Sequence, residues 1–216
     1  MVSSQPQLLL VHAGLTPEAQ GQLAQSFALV ELDLRQWPEP AQLAAQLDLM
    51  GEQLSHVQIV VIAVPMASIA AEQQLDTLWF EACFEQIFAT CKFAAQRLMN
   101  LEHPTQLVLL QSVMGEVGHP AAVSTSVLAG ATLGLVKSLA KEVARYQVTV
   151  NAVALGNAPS LGYQLYLDDD YARLFKMTGL GSEVTAQQVN AALVFLQQGG
   201  MAMTGQLLRL DSGMVI

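Results

Sequence analysis

The stretch QLVLLQSVMGEVGHPAAVSTSVLAGATLGLVKSLAKEVARYQVTVNAVALG (106–156) decides the fold. Its opening run QLVLLQ (106–111) and its closing run VTVNAVA (148–154) are short and apolar, the length and composition of strands buried in a sheet. Between them the spacing predicts a helix over Val123–Arg145. Strand, helix and strand in that order make a parallel pair joined by a crossover helix.

Working outward, HVQIVVIAV (56–64) is a near-continuous β-branched run, expected of a strand covered on both faces. QLLLVH (7–12), FALVELDL (27–34) and QLLRLD (206–211) read as further strands. Pro17 suits the first turn of a helix, with Thr16 as its N-cap. Residues 41–54 place Leu43, Leu47, Met50 and Leu54 on one helical face. A long helix over Leu75–Met99 carries Trp79, Phe80, Phe84, Phe88 and Phe93; another spans 185–197, and a short one is expected within 168–177. The alternation predicts an α/β architecture, a doubly wound parallel sheet with helices on both faces. No repeat, low-complexity tract or linker interrupts it, so residues 1–216 read as a single domain.

Composition narrows the function classes. Hydrophobic residues make up 52% of the 216 and charged residues 12%. That is apolar for a soluble monomer and predicts surface buried between subunits. The apolar run Val57–Ala70 is interrupted by Gln58, Pro65 and Ser68, and no run reaches the ~20 residues of a bilayer span. The opening MVSSQPQLLLVHAG lacks the basic start and long apolar stretch of a signal peptide. A cytoplasmic protein with no membrane role is the expectation. A net charge of −9 argues against nucleic acid, whose phosphates would be repelled. Cys83 and Cys91 fall eight positions apart on one helix, about 12 Å, too far for a disulfide. His12, His56, His103 and His119 are scattered away from them, so no metal site is expected.

With Ser112 in QSVMG, the frame GLVKSLA…VTVNAVA and the ending MTGQLLRLDSGMVI (203–216), the chain resembles the short-chain dehydrogenase/reductase family. It is closest in style to the 3-oxoacyl-carrier-protein reductases. The resemblance implies a Rossmann-like sheet, shortened at the N-terminus by one strand–helix unit. It places the catalytic serine at Ser112, and Val61–Val64 where NNAG lines the cofactor. Trp79 sits at the expected offset, and Gln86 occupies the position of the structural asparagine. The tyrosine of YxxxK should stand thirteen positions after Ser112, where the chain has Thr125; its lysine should stand four further on, at Ala129. Gly134, Lys137, Ala140 and Asn151 then resume the pattern, so the substitutions are not a register slip. The proline–glycine turn after the strand becomes Leu155–Gly156. The family's TGxxxGxG, whose glycines let backbone amides reach a pyrophosphate, becomes His12-Ala13-Gly14-Leu15-Thr16-Pro17.

The implied chemistry suffers accordingly. A threonine hydroxyl is a far weaker acid than a phenol of pKa about 10, and Ala129 brings no ammonium to help it. General acid catalysis is worth about 10²–10⁴ in rate. No cofactor-binding residue can be assigned, and no cofactor is expected. The leading expectation is a catalytically degenerate homologue that forms homo-oligomers, or hetero-oligomers with an active paralogue. The family resemblance puts the interfaces on helices 75–99 and 123–145 and on strand 206–211. Two alternatives stand beside it. One is an NAD- or NADP-dependent 3-oxoacyl or ketone reductase using Ser112 with His119 or Thr125 as a substitute acid. The other is a small-molecule binding or sensing module in the cleft near Ser112, Leu155 and the 157–180 loop. Ser112 as a backbone cap, Thr125 and Ser126 as packing residues, His119 as a solvated loop residue and DDDY (168–171) as an acidic helix start are the plainer readings of those positions.

Overall fold

The computed structural model describes residues 5–12, 15–34, 40–50, 55–65, 77–119, 122–163 and 178–215. Six parallel strands form one sheet. They are β1 (Gln7–His12), β2 (Ala28–Asp33), β3 (Val57–Ala63), β4 (Thr105–Ser112), β5 (Val148–Leu155) and β6 (Leu207–Leu210), laid out in the order β2-β1-β3-β4-β5-β6. β4 and β5 are buried at all eight positions each, as strands covered on both faces must be.

The connecting helices are α1 (Pro17–Ala24), α2 (Pro40–Leu49), α3 (Thr77–Leu98), the short α4 (Met114–Val117), α5 (Val123–Val143) and α6 (Ala186–Gly199). They cover the sheet on its two faces and create two cores. One face packs Leu9, Val60, Ile62, Leu107, Leu109 and Val150 against Ile87, Cys91, Leu98, Leu128 and Val136 of α3 and α5. The other packs Leu8, Leu10, Val61, Val108 and Val153 against Ala19 and Leu23 of α1 and Val189 and Leu193 of α6. Alternate residues of one strand thus feed opposite cores. The Rossmann-like doubly wound sheet expected from the sequence is the fold observed.

Local signals act as read. Thr16 caps α1, its hydroxyl oxygen accepting from Ala19 N–H, with Pro17 in the first turn. Thr185 and Gln188 close a reciprocal capping box at the start of α6. Of the apolar face expected for 41–54, Met50 is buried; Leu54 and the helix expected in 168–177, with DDDY, lie outside the described residues. The shortened N-terminal half also has a location. The doubly wound order 3-2-1-4 carries a strand outside its second strand. Here β2 is the sheet's edge among the described residues, and α2 leads from it to β3, beside β1. Helix α5 with its following turn, Val123–Tyr146, is long and apolar enough by composition to cross a membrane. Its Leu128, Ala129, Val136, Ala140 and Val143 are buried, whereas Val123 and Val127 are exposed.

Candidate functional site: the crevice at the carboxyl ends of the strands

In a doubly wound sheet, ligands bind outside the carboxyl ends of the strands where the winding reverses. Here that point lies between β1 and β3. The described ends of three connections lie near it: Leu15 and Thr16 before α1, Val64 and Pro65 after β3, and residues 156–163 after β5.

The β1–α1 turn is tied down by its own side chains. His12, at the end of β1, is fully buried. Its Nδ1 accepts from Leu15 N–H at 3.0 Å, so Nε2 carries the proton and donates to Glu31 Oε1 at 2.6 Å. Gln20 from α1 donates to the same carboxylate oxygen at 2.9 Å. These bonds tie the end of β1 to Leu15, to α1 and to β2. At the helix start Pro17 has no N–H, and Ala19 N–H is taken by Thr16. Gln20 N–H returns to Thr16 O as the first helical bond.

The segment after β5 lies against that turn. The Thr16 hydroxyl donates to Ser160 O. Ala158 and Tyr163 pair across a closed loop, Ala158 N–H to Tyr163 O at 2.7 Å and Tyr163 N–H to Ala158 O at 3.1 Å. Gly162, at φ +83°, makes the left-handed turn this loop requires. The Tyr163 ring is buried with Leu15, Ala63, Leu110 and Leu161. Its hydroxyl donates toward Val64 O (2.8 Å) and Leu110 O (3.0 Å) at the ends of β3 and β4. Burial raises the phenol's pKa well above its ordinary 10, so it remains a donor.

Of the positions that the resemblance gives to the family's catalytic residues, Ser112, Thr125 and Ala129 are buried and Gln86 is half-buried. Ser112 ends β4, 3% exposed, and its hydroxyl oxygen accepts from Met114 N–H at 3.2 Å. This is the backbone-capping geometry of the plainer reading. Thr125 and Ala129 are each 1% exposed on the inner face of α5. Ala129 meets the backbone of α4: a Cβ on Gly115 would stand 2.8 Å from Ala129 Cβ and 2.7 Å from its carbonyl carbon. Ser126 donates to Ala122 O at 2.6 Å within the helix. Gln86 does not join this group; its amide reaches toward Leu34 O, beyond β2. His119 is half-buried in the connection from α4 to α5, and Lys137 is exposed. Asn151 serves the fold, donating to Met203 O and accepting from Gln206 N–H. Among the described residues no three His, Cys, Asp or Glu side chains converge as a metal cluster would require.

Sequence reading passed over His12, Glu31, Gln20, Gly115 and Tyr163. The signal for His12 was available, as a histidine ending a strand in place of a glycine. Nothing local marked Tyr163, whose partners lie 53 and 99 positions away.

Comparison with known proteins agrees with this frame. The family described as Enoyl-(Acyl carrier protein) reductase matches residues 13–215. The 3-oxoacyl-[acyl-carrier-protein] reductase FabG of Escherichia coli (strain K12) is 27% identical over 184 residues, 82% of this chain and 74% of that one. The 3-oxoacyl-[acyl-carrier-protein] reductase of Rattus norvegicus is 33% identical over 125 residues, 58% of this chain and 50% of that one. Among solved structures, a short-chain dehydrogenase/reductase from Brucella melitensis superposes with a TM-score of 0.75 at 16% identity, covering 98% of each chain. A short chain dehydrogenase family protein from Francisella tularensis gives 0.72 at 17% identity, over 97% of this chain and 98% of its own. With the matched frame running nearly end to end, the chain belongs to the short-chain dehydrogenase/reductase family, in its 3-oxoacyl-carrier-protein reductase-like style.

Proposed function

We propose that this chain is a catalytically degenerate member of its family that acts as an oligomer-forming subunit, with itself or with an active relative. The observation that carries the reading is the contact between Gly115 and Ala129. The position the resemblance gives to the lysine is an alanine, and it packs tightly against the turn after β4, which supports the reading that the catalytic pair is lost. A tethered hydroxyl at Ser112 can orient a carbonyl oxygen but cannot supply a proton at neutral pH.

The residues at the crevice do not fit a dinucleotide. Pyrophosphate binding needs free amides at a helix N-terminus and glycines that permit close approach. Here Pro17 has no N–H, the Thr16 hydroxyl takes the N–H of Ala19, and His12 Nδ1 takes that of Leu15. The loss of two or three charge-assisted bonds, each worth about 1.5–3 kcal/mol, lowers affinity by orders of magnitude.

The subunit role rests on surface chemistry. Leu78 and Phe88 on α3 and Val123 and Val127 on α5 are exposed by 48–69%. Phe80, Phe84 and Phe88 form a consecutive aromatic row along α3, with ring centroids 6.1 and 6.2 Å apart. Such patches mark surfaces that other protein covers.

A reductase reading has its own support in the likeness to 3-oxoacyl-[acyl-carrier-protein] reductases over 82% of the chain. One experiment separates the two. The purified chain is given an acetoacetyl thioester with NADH or NADPH, alone and co-expressed with a family member retaining YxxxK. The subunit reading expects no turnover alone and a stable complex on co-purification. Turnover by the lone chain, lost in Ser112→Ala, establishes the reductase instead.

A further inference from the structure

We infer that Tyr163 is an internal ligand: its phenol occupies the binding crevice of the sheet and takes over the closing role of a bound small molecule. This inference rests on the reading that the crevice holds no dinucleotide, and adds what fills it.

Four observations carry it. The ring stands where the carboxyl ends of β3 and β4 meet, and its hydroxyl addresses one carbonyl from each of those connections, Val64 O and Leu110 O. Two carbonyls converging on one donor are how a polar pocket orients a hydroxyl-bearing ligand. Tyr163 is 4% exposed, so its hydroxyl is shielded from bulk solvent. The loop delivering it is rigid by construction: Pro159 starts a tight turn, Gly162 ends it, and Ala158 and Tyr163 exchange two hydrogen bonds across the base. Finally, the loop is anchored at two further points. Thr16 of the β1–α1 turn donates to Ser160 O, and Asn157 O accepts from Val184 N–H at 2.9 Å.

The consequence is an order of assembly that needs no small molecule. A crevice open to solvent leaves the flanking connections to be fixed by whatever binds there. Here one phenol links β3, β4 and β5, while Thr16 links the β5 segment to α1. Tyr163 belongs to the apolar core that also holds Leu15, Ala63 and Leu161. The ligand class the crevice accommodates is a para-substituted phenol: a flat apolar body with one donor at its end.

The test is to remove the internal phenol and supply it from outside. Tyr163→Ala deletes a side chain whose free equivalent is p-cresol. We expect the variant's melting temperature to fall by at least ~5 °C. Millimolar p-cresol should restore a measurable part of that loss, and toluene, which lacks the hydroxyl, should restore less. Tyr163→Phe keeps the volume and removes the donor, and should melt ~3–8 °C below the wild type. A Tyr163→Ala protein as stable as the wild type, or one indifferent to p-cresol, overturns the inference. So does a Tyr163→Phe protein that melts with the wild type, which also decides the matter if the alanine variant does not fold. NADPH is titrated into the wild type in parallel. Tight binding there overturns the no-dinucleotide reading. Absent p-cresol rescue in a chain that ignores NADPH overturns the internal-ligand inference alone.

Discussion

Gly115 and Ala129 are in backbone contact, so closely that a Cβ on Gly115 would lie 2.8 Å from Ala129 Cβ. The turn after β4 and the inner face of α5 therefore leave no room for a side chain at residue 115.

It follows that restoring the family's residues should harm the protein. Ala129→Lys must push α4 off α5 or bury an ammonium, and overpacking a core typically costs about 1–3 kcal/mol. A urea titration should show at least that loss, and Thr125→Tyr combined with Ala129→Lys should give no turnover of an acetoacetyl thioester. Recovered turnover in the double variant would mean the site is merely unfurnished.

Gly115→Ala tests the same contact from the other side. The clash is with the backbone of Ala129 and Gly130, which cannot step aside as a flexible side chain would. A destabilisation of about 1–3 kcal/mol is expected, against a few tenths for Gly21→Ala, where nothing lies within 4 Å. Equal effects in the two variants would remove the argument.

His12 should matter to stability. His12→Ala leaves Leu15 N–H without its partner in a buried turn and opens a void beside Glu31. About 2–3 kcal/mol is expected from the orphaned donor and the cavity together. Glu31→Gln should cost less than about 1 kcal/mol, since that side chain is 38% exposed and its charge is screened. Chemical denaturation of the two variants orders these effects.

Alkaline pH should destabilise the fold through its buried thiol. Burial pushes Cys91 up from 9.0 to about 12, whereas the unfolded thiol ionises at the ordinary value. Stability is thus complete below about pH 9 and is lost as pH rises, because the unfolded state gains the thiolate first. Near pH 10.5 the loss from this group is about 2 kcal/mol. Tyr163, whose pKa is also raised by burial, adds in the same direction at higher pH. Denaturation midpoints of the wild type and Cys91→Ala, followed from pH 8 to 11, should show the shallower slope in the variant.

The oligomer expectation is tested at its apolar centre. Phe88→Asp and Val127→Arg change side chains that are 48% and 52% exposed, so folding should change by no more than about 0.5 kcal/mol. Sedimentation should find the wild type associated and the double variant in smaller species. A wild type that is monomeric at all concentrations, with and without an active relative, removes the subunit reading.

Much of this architecture was legible because it depends on local pattern. The runs 56–64, 106–111 and 148–154 are apolar throughout, since both faces of those strands are covered, and each emerges as a central strand. Thr16 before Pro17 and Thr185 before Gln188 signal their helix starts by residue type alone. The shortage of chain before β3 was legible but not its place, because only strand order puts β2 at the sheet's edge among the described residues. The family resemblance singled out Ser112, Thr125 and Ala129 by spacing. The contacts around them were not legible: Gly115 against Ala129, His12 against Glu31 and Tyr163 against Val64 join distant positions, with no periodicity to announce them. Residue types can be read in one dimension, whereas contacts between distant positions are a tertiary fact.

The central claim is that the crevice is closed to a dinucleotide, and titrating the purified protein with NADH and NADPH tests it most directly. Calorimetry and nicotinamide fluorescence should both show no saturable binding up to millimolar concentration. Saturable binding at micromolar concentration, by either nucleotide, would contradict the account.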